Sequence, residues 1–345
     1  MRRFWDDLPV AREGVENGEI DSSRIVSHEP VPLPDGFHWS VCTLDESHEF
    51  LREQYIHEGE NFHFRYTRDV LKWSTQLPGY ETLVIRRSDR TIVGHISGVP
   101  MRVRFESEVV DAIQMNYLCI HSDFREAKLV PLLILESRRR ANLKNMWHGV
   151  GTAVRSMFNP VIKSKYWHRL LNVEHLHMSG FHKTNRMNEK FHRVRGPSKF
   201  TWRRMTIKDV RRVTEILKKY NSQFKLAAAI DDEYVEKWLL PINTYINEEN
   251  DKIISFYEIP YHKSNGSHIV NQAYRFCITE DVYNDAFIIA KNLGYDVFNT
   301  LDVGIEPEIL KTNKFLEGSG HVYYYLFNWH LSQDVRNEDV HMILP

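Results

Sequence analysis

The chain has 345 residues, with 45 lysines and arginines against 46 aspartates and glutamates, a formal net charge of −1. That balance excludes bulk electrostatic capture of nucleic acid or of an anionic membrane, and the length suffices for one large domain or two. No run approaches the ~18 apolar residues of a membrane span, and Met1-Arg2-Arg3-Phe4-Trp5-Asp6-Asp7 lacks the apolar segment of a signal peptide. Residues 1–40, with Pro9, Pro30, Pro32, Pro34 and Gly36, predict an extended arm wrapping a core and anchored by Phe4-Trp5. A short helix is predicted over 44–55, then an acidic loop at Glu58-Gly59-Glu60-Asn61, the segment Phe64-Arg65-Tyr66, and a helix over 68–75. Strands over 82–87, 91–99, 101–105 and 112–120 form a meander that feeds a helix over 131–143. Strand-like stretches follow at 148–154 and 166–171. A basic segment with Gly and Pro near 192–198 separates an N-terminal half, 1–195, from a C-terminal half, 196–345.

The second half predicts a strand over 201–205, helices over 207–220 and 231–240, and strands over 253–259 and 269–278. A helix over 279–293 is closed by Gly294, and a strand over 295–301, a helix over 306–313 and an aromatic strand over 322–329 complete it. No repeat at the residue level connects the halves. Cys42, Cys119 and Cys277 are far apart and odd in number, so a reducing cytosol is expected; the eighteen histidines are scattered, and no metal site is expected.

One stretch organises the rest. Asn116-Tyr117-Leu118-Cys119-Ile120 reads as a buried strand, and Pro131 with Leu132, Leu133, Ile134 and Leu135 opens a helix. The loop between them carries Arg125 and Lys128. A helix start presents unpaired N–H groups and the positive end of the dipole, which suits a pyrophosphate. An ordinary strand-to-helix junction with solvated charges fits the same local pattern.

Five motifs take the reading further: Met115-Asn116-Tyr117-Leu118-Cys119-Ile120-His121 with Leu129-Val130-Pro131-Leu132-Leu133-Ile134; Tyr166-Trp167-His168-Arg169-Leu170-Leu171-Asn172; Ile254-Ser255-Phe256-Tyr257-Glu258-Ile259-Pro260; Gly294-Tyr295-Asp296-Val297-Phe298-Asn299-Thr300-Leu301; and Tyr324-Tyr325-Leu326-Phe327-Asn328-Trp329. In this order, over nearly the whole chain, they resemble the eukaryotic N-myristoyltransferases. The resemblance implies an α+β fold of two pseudo-symmetric acetyltransferase-like (GNAT-type) halves sharing a continuous, mostly antiparallel sheet. It implies that residues 1–195 bind myristoyl-CoA, that both halves build the peptide groove, and that 196–345 add the C-terminal carboxylate. The implied activity moves myristate to the N-terminal glycine of a peptide or protein by direct attack, with myristoyl-CoA as co-substrate and no permanently bound cofactor. The chain is expected to act as a monomer in the cytoplasm.

Site residues follow from the same resemblance. The backbone N–H groups of Tyr117 and Leu118 are expected to hold the oxyanion, the alternative being that both simply pair in the sheet. The amides of Glu126, Ala127, Lys128, Leu129 and Val130, with the Arg125 and Lys128 side chains, are expected to cradle CoA phosphates. The family reads Arg-Ser-Lys-Arg where this chain has Arg125-Glu126-Ala127-Lys128, so Glu126 must point away. Phe4-Trp5 resembles the aromatic anchor near CoA, a plain tether being the alternative. The base is expected to be the carboxylate of Pro345, the alternative being a tail packed on the surface. Asn116 and Thr152 fall where the glycine amine and its neighbouring peptide group are held, or are satisfied polar core residues. Tyr166, His168 and Ser255 fall on peptide-pocket positions, with Phe64 beside them, and Glu58 and Glu60 match a loop that receives a basic substrate residue. Ser319, in Leu316-Glu317-Gly318-Ser319-Gly320, stands where the family carries an acid. Cys119 has no evident His–Asp partner and reads as a small core residue. An acyltransferase acting on another amine and a non-catalytic acyl- or peptide-binding module are the rival readings.

Overall fold

A computed structural model describes residues 4–12, 16–55, 62–76, 82–182, 186–247, 249–279, 282–331 and 335–345. The acidic loop holding Glu58 and Glu60 lies outside these residues. The first half runs β1 (Gly18–Glu19), β2 (Phe37–Val41), α1 (Leu44–Gln54), β3 (Phe62–Phe64), α2 (Arg68–Thr75), β4 (Thr82–Arg87), β5 (Ile92–Phe105) and β6 (Glu108–Ile120). It continues with α3 (Leu129–Leu143), β7 (His148–Ala153), β8 (Ile162–Leu170), α4 (Val173–Met178) and α5 (Arg186–His192). Local chemistry sets the helix starts: Thr43 and Glu46 form a capping box on α1, and the Thr67 hydroxyl accepts from the Val70 N–H on α2.

The second half runs β9 (Arg203–Arg204), α6 (Val210–Asn221), β10 (Leu226–Ala228), α7 (Asp232–Trp238), β11 (Asn243–Asn247), β12 (Lys252–Glu258), β13 (Tyr261–Lys263), β14 (Ile269–Val270) and β15 (Gln272–Ile278). Then come α8 (Tyr283–Asn292), β16 (Val297–Leu301), α9 (Pro307–Thr312), β17 (Leu316–Phe327), β18 (Trp329–His330) and β19 (Val340–His341). α6 is amphipathic, burying Val210, Val213, Thr214, Leu217 and Asn221 at helical spacing.

The main sheet has the order β19-β10-β5-β6-β7-β17-β8-β16-β15-β12-β11-β9, with β4 and β2 branching from β5. Its centre is a palindrome. β5–β6 are antiparallel, β6–β7 parallel across α3, and β8 follows; β12–β15 are antiparallel, β15–β16 parallel across α8, and β17 follows. The fourth strands change places, so β17 pairs with β7 and β8 while β8 pairs with β16 and β17. Two halves thereby share one mostly antiparallel sheet, as the expected fold class requires.

Several boundaries move. The two strands expected over 91–99 and 101–105 are one, passing through Pro100. β4 leaves β5 at Ser97 and β10 joins it at Val103, so only β6 flanks Pro100 and the missing N–H faces the open side. The helix expected from residue 131 starts at Leu129, after a 3-10 turn over Ser122–Ala127. The aromatic strand expected from 322 begins at Leu316. β10, β11 and α4 had no signal strong enough to predict.

The arm is pinned by a buried carboxylate. Glu136 on α3 is fully buried, accepts from the Val31 N–H (3.0 Å) and from Arg139 and Arg140 (2.8 Å each). Burial pushes its pKa up, and these donors more than offset that, leaving it below the ordinary carboxylate range. Glu136→Ala is therefore expected to cost ~3 kcal/mol in denaturant unfolding and to expose the arm to proteolysis; unchanged stability and an intact arm would refute the pin.

Buried histidines give a second expectation. Burial lowers His95 and His192 to about 4 and His341 to about 3. The unfolded chain takes up protons near pH 6.5 that the folded chain refuses, so stability is full above that value and falls as pH drops toward 4. Melting temperature should decline steadily between pH 7 and 5; a flat profile would contradict these burials.

Candidate active site

The site is built where two parallel strands part. β6 and β7 pair from Ala112↔His148 to Met115↔Gly151, and no rung follows. Asn116 and Thr152 are the residues immediately beyond the last rung. On the other side of β6 the register with β5 shifts: His95 faces Cys119 and Ser97 faces Asn116, so Tyr117 and Leu118 together oppose Ile96. This is a β-bulge, and Tyr117 adopts φ 53°, the left-handed region that a tyrosine enters only at a cost of ~1–3 kcal/mol.

The surroundings hold that conformation. The Tyr117 carbonyl accepts from His95 Nδ1 (2.8 Å), and its hydroxyl meets Ser74 Oγ on α2 (2.7 Å). The rings of Tyr55 and Tyr66 stand edge-on to it at 5.6 and 5.4 Å. Burial raises the pKa of all three phenols, so they are neutral. The Asn116 side-chain nitrogen is buried without a hydrogen-bond partner among the described residues. A donor left unmet in this way costs free energy unless a ligand satisfies it. Cys119, one strand residue beyond the bulge, is buried, and burial pushes its thiol up to about 12. It is a thiol at neutral pH, unsuited to act as a nucleophile.

Past β6 the chain turns through Arg125, Glu126, Ala127 and Lys128, all exposed, with Lys128 left-handed at φ 55°. α3 then starts with no side-chain cap and no acidic residue in its first turn. Its free N–H groups and positive dipole end are available to an anion. Leu129 is buried while Val130 is exposed. Leu118, Phe4 and Trp5 pack on the same apolar cluster as Leu129 and Leu133. Trp5 also contacts Phe158 at 4.8 Å, which in turn contacts Tyr325 at 4.5 Å.

A second group assembles on the far side. His168 on β8 donates from Nδ1 to Asn299 Oδ1 (2.7 Å); the Asn299 amide donates to Gln272 Oε1 (2.5 Å), which Tyr274 also reaches (3.1 Å). This chain fixes the His168 tautomer, leaving Nε2 as an acceptor. A Cβ on Gly318 would lie 2.5 Å from that nitrogen and 2.8 Å from the Tyr166 carbonyl, and one on Gly320 would lie 3.3 Å from the Tyr166 ring. These glycines let β17 press against β8, with exposed Ser319 between them. Phe64 packs on Tyr261 at 4.8 Å. Ser255 is fully buried on β12, where its hydroxyl is engaged by Thr244 (2.8 Å), apart from the His168 group.

The C-terminal tail is ordered. β19 pairs in parallel with β10, Met342 is buried, and Ile343 packs on two core clusters. Leu344 joins the cluster that Tyr166 also contacts, and Pro345 is half-buried. Among the described residues no helix is long and apolar enough to cross a membrane, and no group of metal-ligating side chains occurs. Sequence reasoning missed His95, Ser47, Ser74, Asn299 and Gln272. Its only available signal was a polar residue inside an apolar strand, such as His95 between Val93 and Ile96.

The N-terminal domain of the myristoyl-CoA:protein N-myristoyltransferase family matches residues 19–164, and its C-terminal domain matches 172–342. The chain is 31% identical to glycylpeptide N-tetradecanoyltransferase 1 of Arabidopsis thaliana over 99% of its own length and 89% of the relative's. It is 33% identical to the Dictyostelium discoideum glycylpeptide N-tetradecanoyltransferase, covering 94% and 88%. The Saccharomyces cerevisiae N-myristoyltransferase crystallised with bound myristoyl-CoA superposes with a TM-score of 0.89 at 25% identity, over 99% of this chain and 94% of that one. The chain is an acyltransferase and belongs to the myristoyl-CoA:protein N-myristoyltransferase family.

Proposed function

We propose that the protein transfers myristate from myristoyl-CoA to the N-terminal glycine amine of peptides and proteins, by direct attack at the opening between β6 and β7. The observation that carries this reading is the meeting, past the last β6–β7 rung, of the Tyr117-Leu118 bulge, the unpartnered Asn116 amide and Thr152. The uncapped start of α3, with Arg125 and Lys128 beside it, supports a phosphate cradle. Glu126 is exposed there and free to turn toward solvent, so the backbone supplies most of the attraction. An acyl chain of a dozen methylenes gains on the order of 10 kcal/mol by burial, which accords with the apolar cluster around Leu129 and Leu133.

The glycine amine adds to the thioester carbonyl, whose oxygen becomes an oxyanion held by the Tyr117 and Leu118 N–H groups; one such donor is worth ~3 kcal/mol of barrier. The C–S bond then breaks and CoA leaves as thiolate. The proton left on nitrogen by the addition goes to the departing thiolate, while the proton that frees the amine for attack goes beforehand from the glycine ammonium to the Pro345 carboxylate and from there to solvent. With ordinary pKa values of ~3.5 and ~8, moving it from ammonium to carboxylate is uphill by about 6 kcal/mol. Desolvation raises the first value and lowers the second, so the base must lie in a dry place. The docking of β19 on β10 and the packing of Ile343 and Leu344 support such burial. His168 Nε2, with Tyr166 and Ser319, provides an acceptor for residues after the glycine. The departure from the family's acid at Ser319 is accompanied by a Lys165–Glu317 ion pair between β8 and β17, where their register shifts.

Appending residues after Pro345, or deleting Leu344-Pro345, should lower kcat by ~10²–10⁴-fold while myristoyl-CoA still binds; undiminished turnover would remove the terminal base. In an acyl-CoA series, each methylene away from the preferred length should cost 1–3 kcal/mol, roughly, in kcat/KM, with the optimum at fourteen carbons. A preference for acetyl-CoA would overturn the substrate assignment.

A further inference from the structure

We propose that His95 is a positioning residue that aims the Leu118 N–H at the oxyanion by fixing the peptide plane between Tyr117 and Leu118. The inference rests on the oxyanion reading above. A trans peptide is planar, with C=O and N–H pointing in opposite directions, so whatever anchors the Tyr117 carbonyl also sets the direction of the Leu118 N–H. His95 Nδ1 lies 2.8 Å from that carbonyl oxygen. A carbonyl only accepts, so the proton sits on Nδ1 and Nε2 is left as an acceptor. Nε2 meets the Ser47 hydroxyl of α1 at 2.8 Å, which donates to it. The ring is fully buried and stacks on Phe50 at 5.9 Å with an interplanar angle of 18°.

Every contact of the imidazole thus specifies one tautomer and one orientation. The bond lies where backbone strain is stored, since Tyr117 holds φ 53° against its own preference. The Ser74 contact fixes only the phenol, leaving the peptide plane to His95. Donation to the carbonyl also polarises the amide, making its N–H a stronger donor to negative charge. Burial keeps the ring neutral, so this arrangement persists across the neutral pH range.

The test uses His95→Phe, which keeps the ring and its stack but has no donor, and His95→Asn, whose amide nitrogen falls near the place of Nδ1. Single-turnover rates, dissociation constants for myristoyl-CoA, and the infrared carbonyl band of bound [1-13C]myristoyl-CoA are measured on the full chain. His95→Phe should lose about tenfold in rate, short of the ~10²-fold cost of deleting an oxyanion donor, with binding of myristoyl-CoA unchanged. The carbonyl band, shifted to lower frequency in the wild type, should return toward its solution position, and His95→Asn should restore rate and band. Ser47→Ala, which frees Nε2, should give a smaller loss in the same direction and serves if the phenylalanine variant does not fold. A wild-type shift that survives in both His95→Phe and Ser47→Ala would overturn the positioning role and leave the oxyanion reading intact. No shift in the wild type would sink both.

Discussion

The parting of β6 from β7 is the constraint on which the site depends. A strand bonded on both sides has no backbone donor to spare, and β6 is in that state only as far as Met115. Beyond it, one flank is free, and the bulge against β5 turns Tyr117 and Leu118 out of the regular ladder. The second half repeats the geometry. β15 and β16 pair from Gln272↔Val297 to Tyr274↔Asn299 and then separate. There the next residue is Arg275, a buried guanidinium that reaches across the gap to the carbonyls of Leu301 and Val303. In the first half the equivalent place belongs to Asn116, whose side-chain nitrogen has no hydrogen-bond partner among the described residues. Arg275 closes one opening with its own side chain and Asn116 does not close the other, which supports the proposal that the chemistry belongs to the N-terminal half.

What surrounds the open gap is apolar but for a few aimed polar atoms. Tyr55, Tyr66 and Tyr117 carry buried hydroxyls kept neutral by desolvation, and Cys119 is held as a thiol. In so dry a place a hydrogen bond to developing charge is strong and an unmet donor is expensive. Under the proposed mechanism, dryness around the terminal carboxylate would favour proton transfer from amine to carboxylate, because both ions lose hydration there.

The two-half fold class is implied only by the family resemblance, whereas the central strand and the helix after it are readable from the residues, because apolar runs and Pro131 act locally. The left-handed Tyr117 is not. Glycine and asparagine announce positive φ, whereas a tyrosine does not, and here the conformation comes from His95 and Ser74, which are distant in sequence. The extension of β17 back to Leu316 was hidden by Gly318-Ser319-Gly320, which reads as a loop until the close approach of Tyr166 and His168 is known. β10 and β19 are two or three residues long and carry no periodicity to detect. Of the anticipated site residues, Asn116, Tyr117, Leu118 and Thr152 converge on one opening, and His168 and Tyr166 converge on Gly318. Ser255 is instead occupied with Thr244.

The exchange of the fourth strands ties the two regions together. β8, a first-half strand, has both its neighbours in the second half, and β17, a second-half strand, has both its neighbours in the first or exchanged part, β7 and β8. His168 takes its partner Asn299 from β16, and Tyr166 is shaped by glycines of β17. Thr152 lies opposite Tyr324 across the β7–β17 ladder. Thr152 on β7 and the His168–Tyr166 pair on β8 thus both flank the exchanged strand β17. Neither half on its own would retain the hydrogen-bond partners of its fourth strand. The relative placement of Thr152, Tyr166 and His168 is a property of the seam, set by backbone pairing rather than by loops.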